Sequence, residues 1–318
     1  AKTYLQIVGG FCILNALIPI CSSYLRAFGF SKEPLYASII GNVINFCLNA
    51  FFLFVLHKGV AGVATATVIS RIINLVIVVL LGAVLVKAKQ HPERESNRAV
   101  MGQIIRIGLP SACETAIYNV SMTLVIRFLN QMDAQGLNVT ARSYTMQITN
   151  FSYCVGAALA QANAIMTGWH IGAKEYDACD RGTKKAAVIG VIVAVILETM
   201  FALCSGWIMQ LFSKDPQMVS LVGKLLAIDI VLEIGRVTNL VYGQALKTSG
   251  DAVFPVVMGA CFMILCSVGG TYLFGIRLGL LAVGAYIGMT GDECVRAVGM
   301  YLRWKSGKWK EKGLVKSR

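Results

Sequence analysis

The chain has 318 residues, of which 56% are hydrophobic and only 14% are charged, and its formal net charge is +13. Soluble domains carry about 25% charged residues, so this composition predicts a membrane protein and excludes a soluble globular domain. A nucleic-acid-binding role is disfavoured because the cations lie in short loops and in the tail.

Nine apolar stretches follow one another along the chain, separated by short polar breaks. Each is long enough to cross a hydrocarbon core about 30 Å thick as a helix, and each is too long and too continuously apolar for a barrel strand. We therefore predict an all-α polytopic bundle with nine spans. The stretches are 5–27, 35–56, 60–86, 104–129, 139–168, 186–212, 218–246, 253–275 and 280–302.

The polar breaks divide the chain into four predicted parts. Residues 1–86 form a partial N-lobe of three helices, and 87–103 form an inter-lobe linker that contains the run KAKQHPERESNR. Residues 104–303 form a C-lobe of six helices, and 304–318 form a basic tail.

Cations concentrate in alternate loops, which the positive-inside rule interprets as the cytoplasmic side. The linker, the loop around Lys184 and the tail carry most of them, whereas the opposite loops carry few. We predict a cytoplasmic linker and C-terminus in a bacterial inner membrane, with Trp304 and Trp309 at the membrane surface.

Two ten-residue segments resemble each other: LRAFGFSKEP at 25–34 and LKTSGDAVFP at 246–255. The first and seventh spans precede the two copies, and an even number of crossings separates them, so the repeat is parallel. The phrases GVAGVA (59–64) and GLLAVG (279–284) align in the same way. The repeat predicts two pseudo-symmetric lobes of six helices, with three further helices before residue 1.

Four ordered stretches carry a family resemblance: RIGLPSACE (106–114), ALAQANAIMTGWHIGAKEYDACDRGTKKA (158–186), EIGRVTNLVYGQALKTSGD (233–251) and DECVRAVGMYLRWKSGKW (292–309). In these the chain resembles the multidrug and toxic compound extrusion transporters, particularly their DinF-like branch. The resemblance implies a V-shaped bundle that exports organic, often cationic, compounds against an inward proton or sodium gradient.

Glu114 lies five residues into the predicted helix that follows Gly108-Leu109-Pro110, inside a predicted span. A carboxylate there costs several kcal/mol unless it faces a cavity or has a partner. The resemblance implies a cation-coupling glutamate in this helix. The alternative is a permanent structural pair with an arginine.

Glu233, Arg236 and Asn239 share one face of the seventh span because three residues separate each from the next. Arg236 either pairs with Glu233 along the helix or reaches across to Glu114. Sodium-coupled members of the resembled family have an acid at the position of Arg236, so the cation here disfavours a sodium site. A purely structural ion pair is the alternative.

Asp292, Glu293 and Arg296 form a third charged cluster, in the last span. Asp292 and Arg296 have the spacing of four that favours an intrahelical pair. The cluster is interpreted either as a gate or coupling group, or as a pair that lets the helix carry charge at modest cost.

Uncharged polar residues give a weaker indication of a wet cavity, since they also join neighbouring helices. The candidates for cavity lining are Asn42, Asn45, Asn119, Tyr144 and Gln161.

No motif for a metal site, a cofactor or a nucleoside triphosphate is present, and the ten cysteines have no ligand spacing. We therefore expect no catalytic residue, no metal and no cofactor, only a transported proton or sodium ion. The predicted function is an antiporter, monomeric at full length, whose partners are the bilayer, an organic substrate and the coupling cation. A flippase for lipid-linked precursors is the alternative, and a membrane-embedded enzyme is a distant one.

Overall fold

The computed structural model describes residues 2–87, 97–133 and 135–312, and in these ranges it contains helices and turns but no strand. The helices are α1 (Lys2–Gly10), α2 (Leu14–Ala27), α3 (Lys32–Ala50), α4 (Gly59–Lys87), α5 (Asn97–Met132), α6 (Leu137–Gly172), α7 (Tyr176–Leu203), α8 (Ser205–Met209), α9 (Pro216–Thr248), α10 (Val253–Phe262) and α11 (Leu281–Lys305). Wide π-helical turns cover Phe51–Val55, Met263–Val268 and Thr271–Arg277, and a short 3₁₀ helix covers Lys308–Lys312. The all-α architecture is as predicted.

The chain forms two compact units, Ala1–Arg94 and Glu95–Arg318. In the first unit, α1, α2 and α3 all pack against α4. Leu25, Ala37, Val78 and Val86 form its buried centre. The α1 and α2 helices meet at an angle of 41°, so together they form either one broken span or two short segments.

The second unit is built around α9, which packs against α6, α7 and α11. One apolar cluster includes Val125, Leu226 and Tyr286, and a second includes Val237 and Trp304. α9 serves as the centre because its buried residues, which extend from Met218 to Leu246, lie on more than one face of the helix. The helix thereby carries its few charged residues into the interior of the unit.

The two ends of this second unit are identified by contacts between helix termini. At one end, Asp251 after α9 accepts a hydrogen bond from Arg303 in the last turn of α11. At the other end, the Asn138 side chain at the start of α6 accepts a hydrogen bond from the Ala282 backbone at the start of α11. We call these the Asp251 end and the Asn138 end.

Four of the predicted apolar stretches, 60–86, 104–129, 139–168 and 218–246, lie within single α-helices. The stretch 5–27 is interrupted by a turn between α1 and α2, and 186–212 runs past α7 into α8 and the turn that follows. By length and composition, four segments are able to cross a membrane: Lys32–Val55, Gly59–Val86, Tyr176–Leu203 and Val253–Arg277. The bent pair α1 and α2 makes a fifth if it is one span. The α5, α6, α9 and α11 helices are long enough but more polar, so the count of nine spans stays a prediction.

α5 begins at Asn97, within the predicted 87–103 linker, whose role between the lobes stays a prediction. Its sequence from there to Met101 contains neither glycine nor proline, so nothing stops the helix from starting early. Residues 88–96 of the linker, with Lys89 and Arg94, lie outside the described residues.

The start of the tail folds back onto the second unit, contrary to the prediction that its tryptophans face a membrane surface. Trp304 and Trp309 are both 2% exposed and their rings stack at 4.1 Å. The Trp304 indole donates a hydrogen bond of 2.7 Å to Asp180. The Trp309 indole donates a hydrogen bond of 3.0 Å to the Trp304 carbonyl oxygen, so both N–H groups are satisfied and the two indoles are core residues.

Asp251 holds this folded tail in place. Its side chain is fully buried and forms ion pairs of 2.7 Å with both Arg303 and Lys312. Burial acts to raise the pKa of Asp251, but hydrogen bonds and charge attraction from the two cations outweigh it, so the pKa lies below its ordinary value. The carboxylate is consequently ionised at neutral pH.

Candidate functional site

Polar side chains of the second unit converge on a cavity of about 390 Å³ between α5, α9, α10 and α11. This first cavity is lined by Glu114, Arg236, Asn239, Lys247, Glu293 and Arg296, together with aromatic and apolar groups such as Tyr118, Tyr153 and Met263. Ionisable groups so far inside an apolar bundle are characteristic of ion and substrate pathways.

Glu114 pairs with Lys247, with 2.6 Å between Oε2 and Nζ. The glutamate lies one turn after Pro110 in α5, and the lysine lies in the last turn of α9. The two side chains are 16% and 20% exposed, so both reach the cavity. The sequence indicated Glu114 as a site residue, whereas Lys247 was not among the predicted site residues.

Arg236 does not take Glu114 as its partner, which decides between the two predicted alternatives. It donates to Glu233 on its own helix at 2.8 Å, and its Nε lies 3.7 Å from Oε1 of Glu293 on α11. The close approach of the two helices at Gly235 makes this second contact possible: a Cβ added there would lie 2.9 Å from the Cys294 nitrogen.

Glu293 is the centre of the network. Arg296 donates to its Oε1 at 2.9 Å, and Asn239 donates to its Oε2 at 3.0 Å. Arg296 also forms the predicted pair with Asp292, through bonds of 2.8 and 3.0 Å. Ser267 completes the chain of contacts by donating to Asp292 at 2.9 Å.

The structure thus brings six of the seven predicted site residues into one network, with Glu114 facing the same cavity. This ion-pair network consists of Glu233, Arg236, Asn239, Asp292, Glu293 and Arg296. It has three carboxylates for two guanidinium groups, so the carboxylates outnumber the cations. One oxygen of Glu233 has no hydrogen-bond partner although its side chain is fully buried.

The weaker candidates for cavity lining do not all lie at a cavity. Asn119 lines the first cavity. Asn45 instead donates to Ser70 at 3.0 Å, which joins α3 to α4, and Tyr144 packs on Phe212 with ring centres 5.3 Å apart. Asn42 and Gln161 are exposed on the described part of the chain. Their cavity role stays a prediction.

A second cavity of about 220 Å³ was not foreseen. It lies towards the Asn138 end, and its walls include Arg142 on α6, Asp229 on α9 and Tyr286 on α11. Tyr118, Tyr153 and Arg236 line both cavities. Asp229 was detectable in the sequence, since its spacing to Glu233 and Arg236 places all three on one face of α9.

Glu198 on α7 is the other acid that the sequence underrated. It was not among the predicted site residues, yet its side chain is fully buried, and neither carboxyl oxygen has a hydrogen-bond partner. In the described ranges, His, Cys, Asp and Glu side chains form no group of three with the arrangement of metal ligands.

Comparison with known proteins gives consistent matches over almost the whole chain. The family model MatE matches residues 110–273. The uncharacterized transporter YisQ of Bacillus subtilis is 33% identical over 99% of this chain and 70% of its own length. The probable multidrug resistance protein YoeA of B. subtilis is 22% identical over 93% of this chain and 65% of its own length.

Solved structures agree on the fold. An outward-facing multidrug resistance MATE family transporter of the MOP superfamily superposes with a TM-score of 0.85 at 18% identity, covering 98% of this chain and 71% of that one. A MATE crystal structure in the straight conformation has the same TM-score over 97% of this chain.

Proposed function

Because the chain belongs to the MatE family of multidrug and toxic compound extrusion transporters, we propose that it exports small amphipathic organic cations in exchange for protons. The family consists of membrane transporters rather than enzymes, and its relatives include multidrug resistance proteins. The bilayer is therefore its environment. The coupling ion, the substrate class, the bacterial inner membrane location and the monomeric state are part of the proposal.

The pair of Glu114 and Lys247 is the observation that carries this proposal. A proton on Glu114 removes the negative charge, and the attraction that holds Lys247 at 2.6 Å is lost. Since the two residues lie on α5 and α9, proton binding would loosen the contact between these helices. Such a change biases the two states of an alternating-access cycle when the proton binds one state more tightly.

The chemistry of the cavity favours a proton over sodium. Sodium prefers a set of oxygen ligands with excess negative charge, but both acids that line the first cavity already contact a cationic side chain. Arg236 adds a positive charge at 3.7 Å from Glu293. A proton needs only one carboxylate oxygen, and an approaching sodium ion would be repelled by three nearby cations.

The lining also suits an amphipathic cation. Tyr118, Tyr153, Leu240 and Met263 supply aromatic and apolar surface beside the acids. Methionine and aromatic groups adapt to ligands of different shape, which is typical of promiscuous sites. A cation that displaces Lys247 from Glu114 would compete with the proton for the same carboxylate, as exchange requires.

A flippase for lipid-linked precursors receives less support. A pyrophosphate group needs cations that are free to bind it, whereas Arg236, Lys247 and Arg296 are all paired with carboxylates. No observation in the described residues favours it over export of cations.

The test is transport by purified protein in proteoliposomes, with ethidium as the substrate probe and either a proton or a sodium gradient imposed. We expect ethidium movement with the proton gradient only, and loss of that movement in Glu114→Gln. Glu175→Gln, which neutralises an exposed acid paired with His170, is the matched control and should transport normally. Equal transport by the Glu114 variant and the parent would disprove the role of Glu114.

A further inference from the structure

The buried acids Asp229 and Glu198 have no function in the mechanism above. Asp229 is 2% exposed, lines the second cavity, and has one oxygen without a hydrogen-bond partner. Glu198 is fully buried with both oxygens unpartnered. An isolated buried carboxylate is costly, and in practice such a group neutralises itself by binding a proton. Their burial therefore requires an explanation.

The packing of α7 against α9 places the two acids at the same level. A Cβ on Gly190 would lie 2.7 Å from Val237, and one on Gly223 would lie 3.3 Å from the hydroxyl of Ser205, which follows the end of α7 by two residues. The helices are therefore antiparallel. Glu198 lies eight residues after Gly190 on α7, and Asp229 lies eight residues before Val237 on α9. In antiparallel helices these two acids are therefore at the same level.

Glu198 lies opposite two acids of α9. Asp229 and Glu233 are four residues apart, which places them on one face of that helix. The charged groups that act on Glu198 are Asp229, Glu233 and Arg236, all on α9. Its carboxyl group therefore interacts electrostatically with both acids, as a group that passes a proton from one to the other would.

Two further side chains point to a mobile proton at this place. The Ser152 hydroxyl on α6 is fully buried and faces the Glu198 carboxyl, but it has no partner with hydrogen-bond geometry. Arg142, also on α6, is 6% exposed, and its Nε in the wall of the second cavity is unpartnered. The Ser152 hydroxyl is able to donate a hydrogen bond to Glu198 when that acid is ionised. The Arg142 Nε is able to donate one to a water molecule in the second cavity beside Asp229.

We propose that Asp229, Glu198 and Glu233 form a proton relay from the second cavity to the ion-pair network at Arg236. A hydronium ion in the cavity gives its proton to Asp229 and leaves as water. Asp229 passes the proton to Glu198 and becomes a carboxylate again. Glu198 then passes the proton to the free oxygen of Glu233 and becomes a carboxylate in turn. Protonated Glu233 then attracts Arg236 less strongly, which frees the guanidinium group to move towards Glu293 in the first cavity.

The charged surroundings of the relay come from three helices. Asp229 faces Arg236 on its own helix, Glu293 and Tyr286 on α11, and Arg142 on α6. Glu233 faces Arg236, Asp229 and Glu293. The second cavity therefore opens a route from the Asn138 end that reaches the network without passing Glu114. The relay rests on the proposed proton exchange.

The first experiment reads protonation directly in the purified protein. Infrared spectra recorded across a pH titration, in water and in deuterium oxide, contain the C=O stretch of protonated carboxylic acids. We expect Glu198→Gln and Asp229→Asn each to remove a component of this band, while Glu175→Gln leaves it unchanged. A Glu198→Gln spectrum identical to that of the parent at every pH overturns the proposal.

The second experiment separates the relay from the proposed function, using ethidium in proteoliposomes. We expect both variants to lose proton-driven ethidium accumulation by about a hundredfold, the effect of removing a positioned proton-transfer group, and to keep ethidium exchange without a gradient. Glu198→Asp should recover part of the driven transport. If the parent fails to transport ethidium, the proposed function fails and the infrared result still decides the relay. If both variants keep the full proton-driven ethidium accumulation of the parent, the relay is wrong, whereas the proposed function is unaffected.

Discussion

Gly235 on α9 lies directly against the backbone of Glu293 on α11. A Cβ at this position would lie 2.9 Å from the carbonyl carbon of Glu293 and 3.1 Å from its oxygen. Backbone atoms do not rotate away as side chains do, so the glycine sets how closely the helices approach. The contact between Arg236 and Glu293 depends on that approach.

Gly235→Ala should therefore separate α9 from α11 and weaken the ion-pair network. We expect it to lower the free energy of unfolding by about 1–3 kcal/mol, the usual cost of overpacking. Thermal unfolding in detergent measures this change. Gly291→Ala on α11 is the control, because its added methyl group meets nothing within 4 Å. Equal stability of the two variants would show that the helices do not need this approach.

Lys247 and Glu114 should behave as a coupled pair. Lys247→Met leaves an unpaired carboxylate beside the cavity, and Glu114→Gln leaves an unpaired ammonium group, so each single change should destabilise the protein. The double variant leaves neither charge and should lose less stability than the sum, by about 0.5–3 kcal/mol. A thermal-unfolding double-mutant cycle measures the difference, and strict additivity would contradict the pair.

Gly259 on α10 should control the position of the Glu114 carboxyl group. A Cβ there would lie 3.3 Å from Oε1 and 3.4 Å from Cγ of Glu114. Gly259→Ala is therefore expected to displace the carboxyl group and reduce proton-driven ethidium transport with little loss of stability. In Gly269→Ala the nearest atom lies at an ordinary contact distance of 3.6 Å. Similar transport by both variants would show that Glu114 tolerates displacement.

The tail contacts should weaken in acid. The pKa of Asp251 is lowered below its ordinary value of 3.8 in the folded protein, so its ion pairs stabilise the fold at neutral pH. That contribution is lost as the pH falls below 3.8 through the folded-state pKa. Asp251→Asn should thus lower the unfolding temperature at pH 7 but have little effect in strong acid.

Limited trypsin digestion gives a second measurement of the same contacts. Cleavage after Lys308 and Lys310 should be faster in Asp251→Asn than in the parent at neutral pH, because the 3₁₀ helix is less firmly held. Asp177→Asn, at an exposed position in the first turn of α7, is the control. Equal cleavage rates in all three proteins would argue against a holding role for Asp251.

Local spacing was sufficient to predict part of the site. Glu233 with Arg236, and Asp292 with Arg296, are three and four residues apart, so helix geometry alone brings each pair together. Lys247 was not recognised as the partner of Glu114, because that contact depends on how α5 packs near the end of α9. A single sequence contains no direct record of such packing.

The tail was misjudged for a related physical reason. Tryptophans among lysines have the same local pattern whether they face a membrane surface or a protein interior. Distant partners decide between the two: here Asp180 accepts a hydrogen bond from the Trp304 indole, and Asp251 accepts one from Lys312 of the tail. Asp229 and Glu198 are a different case: their burial was visible as charge within apolar stretches, but the route that connects them appears only when α7 is packed beside α9.

Ser267, which donates to Asp292, lies in the π-helical turn Met263–Val268. A π-helical turn holds one residue more than an α-helical turn of the same height, so it behaves as a one-residue insertion in the helix. Deleting a single residue just before Ser267 would restore regular winding and rotate the serine by about 100° away from Asp292. This segment should therefore tolerate substitutions far better than changes of length.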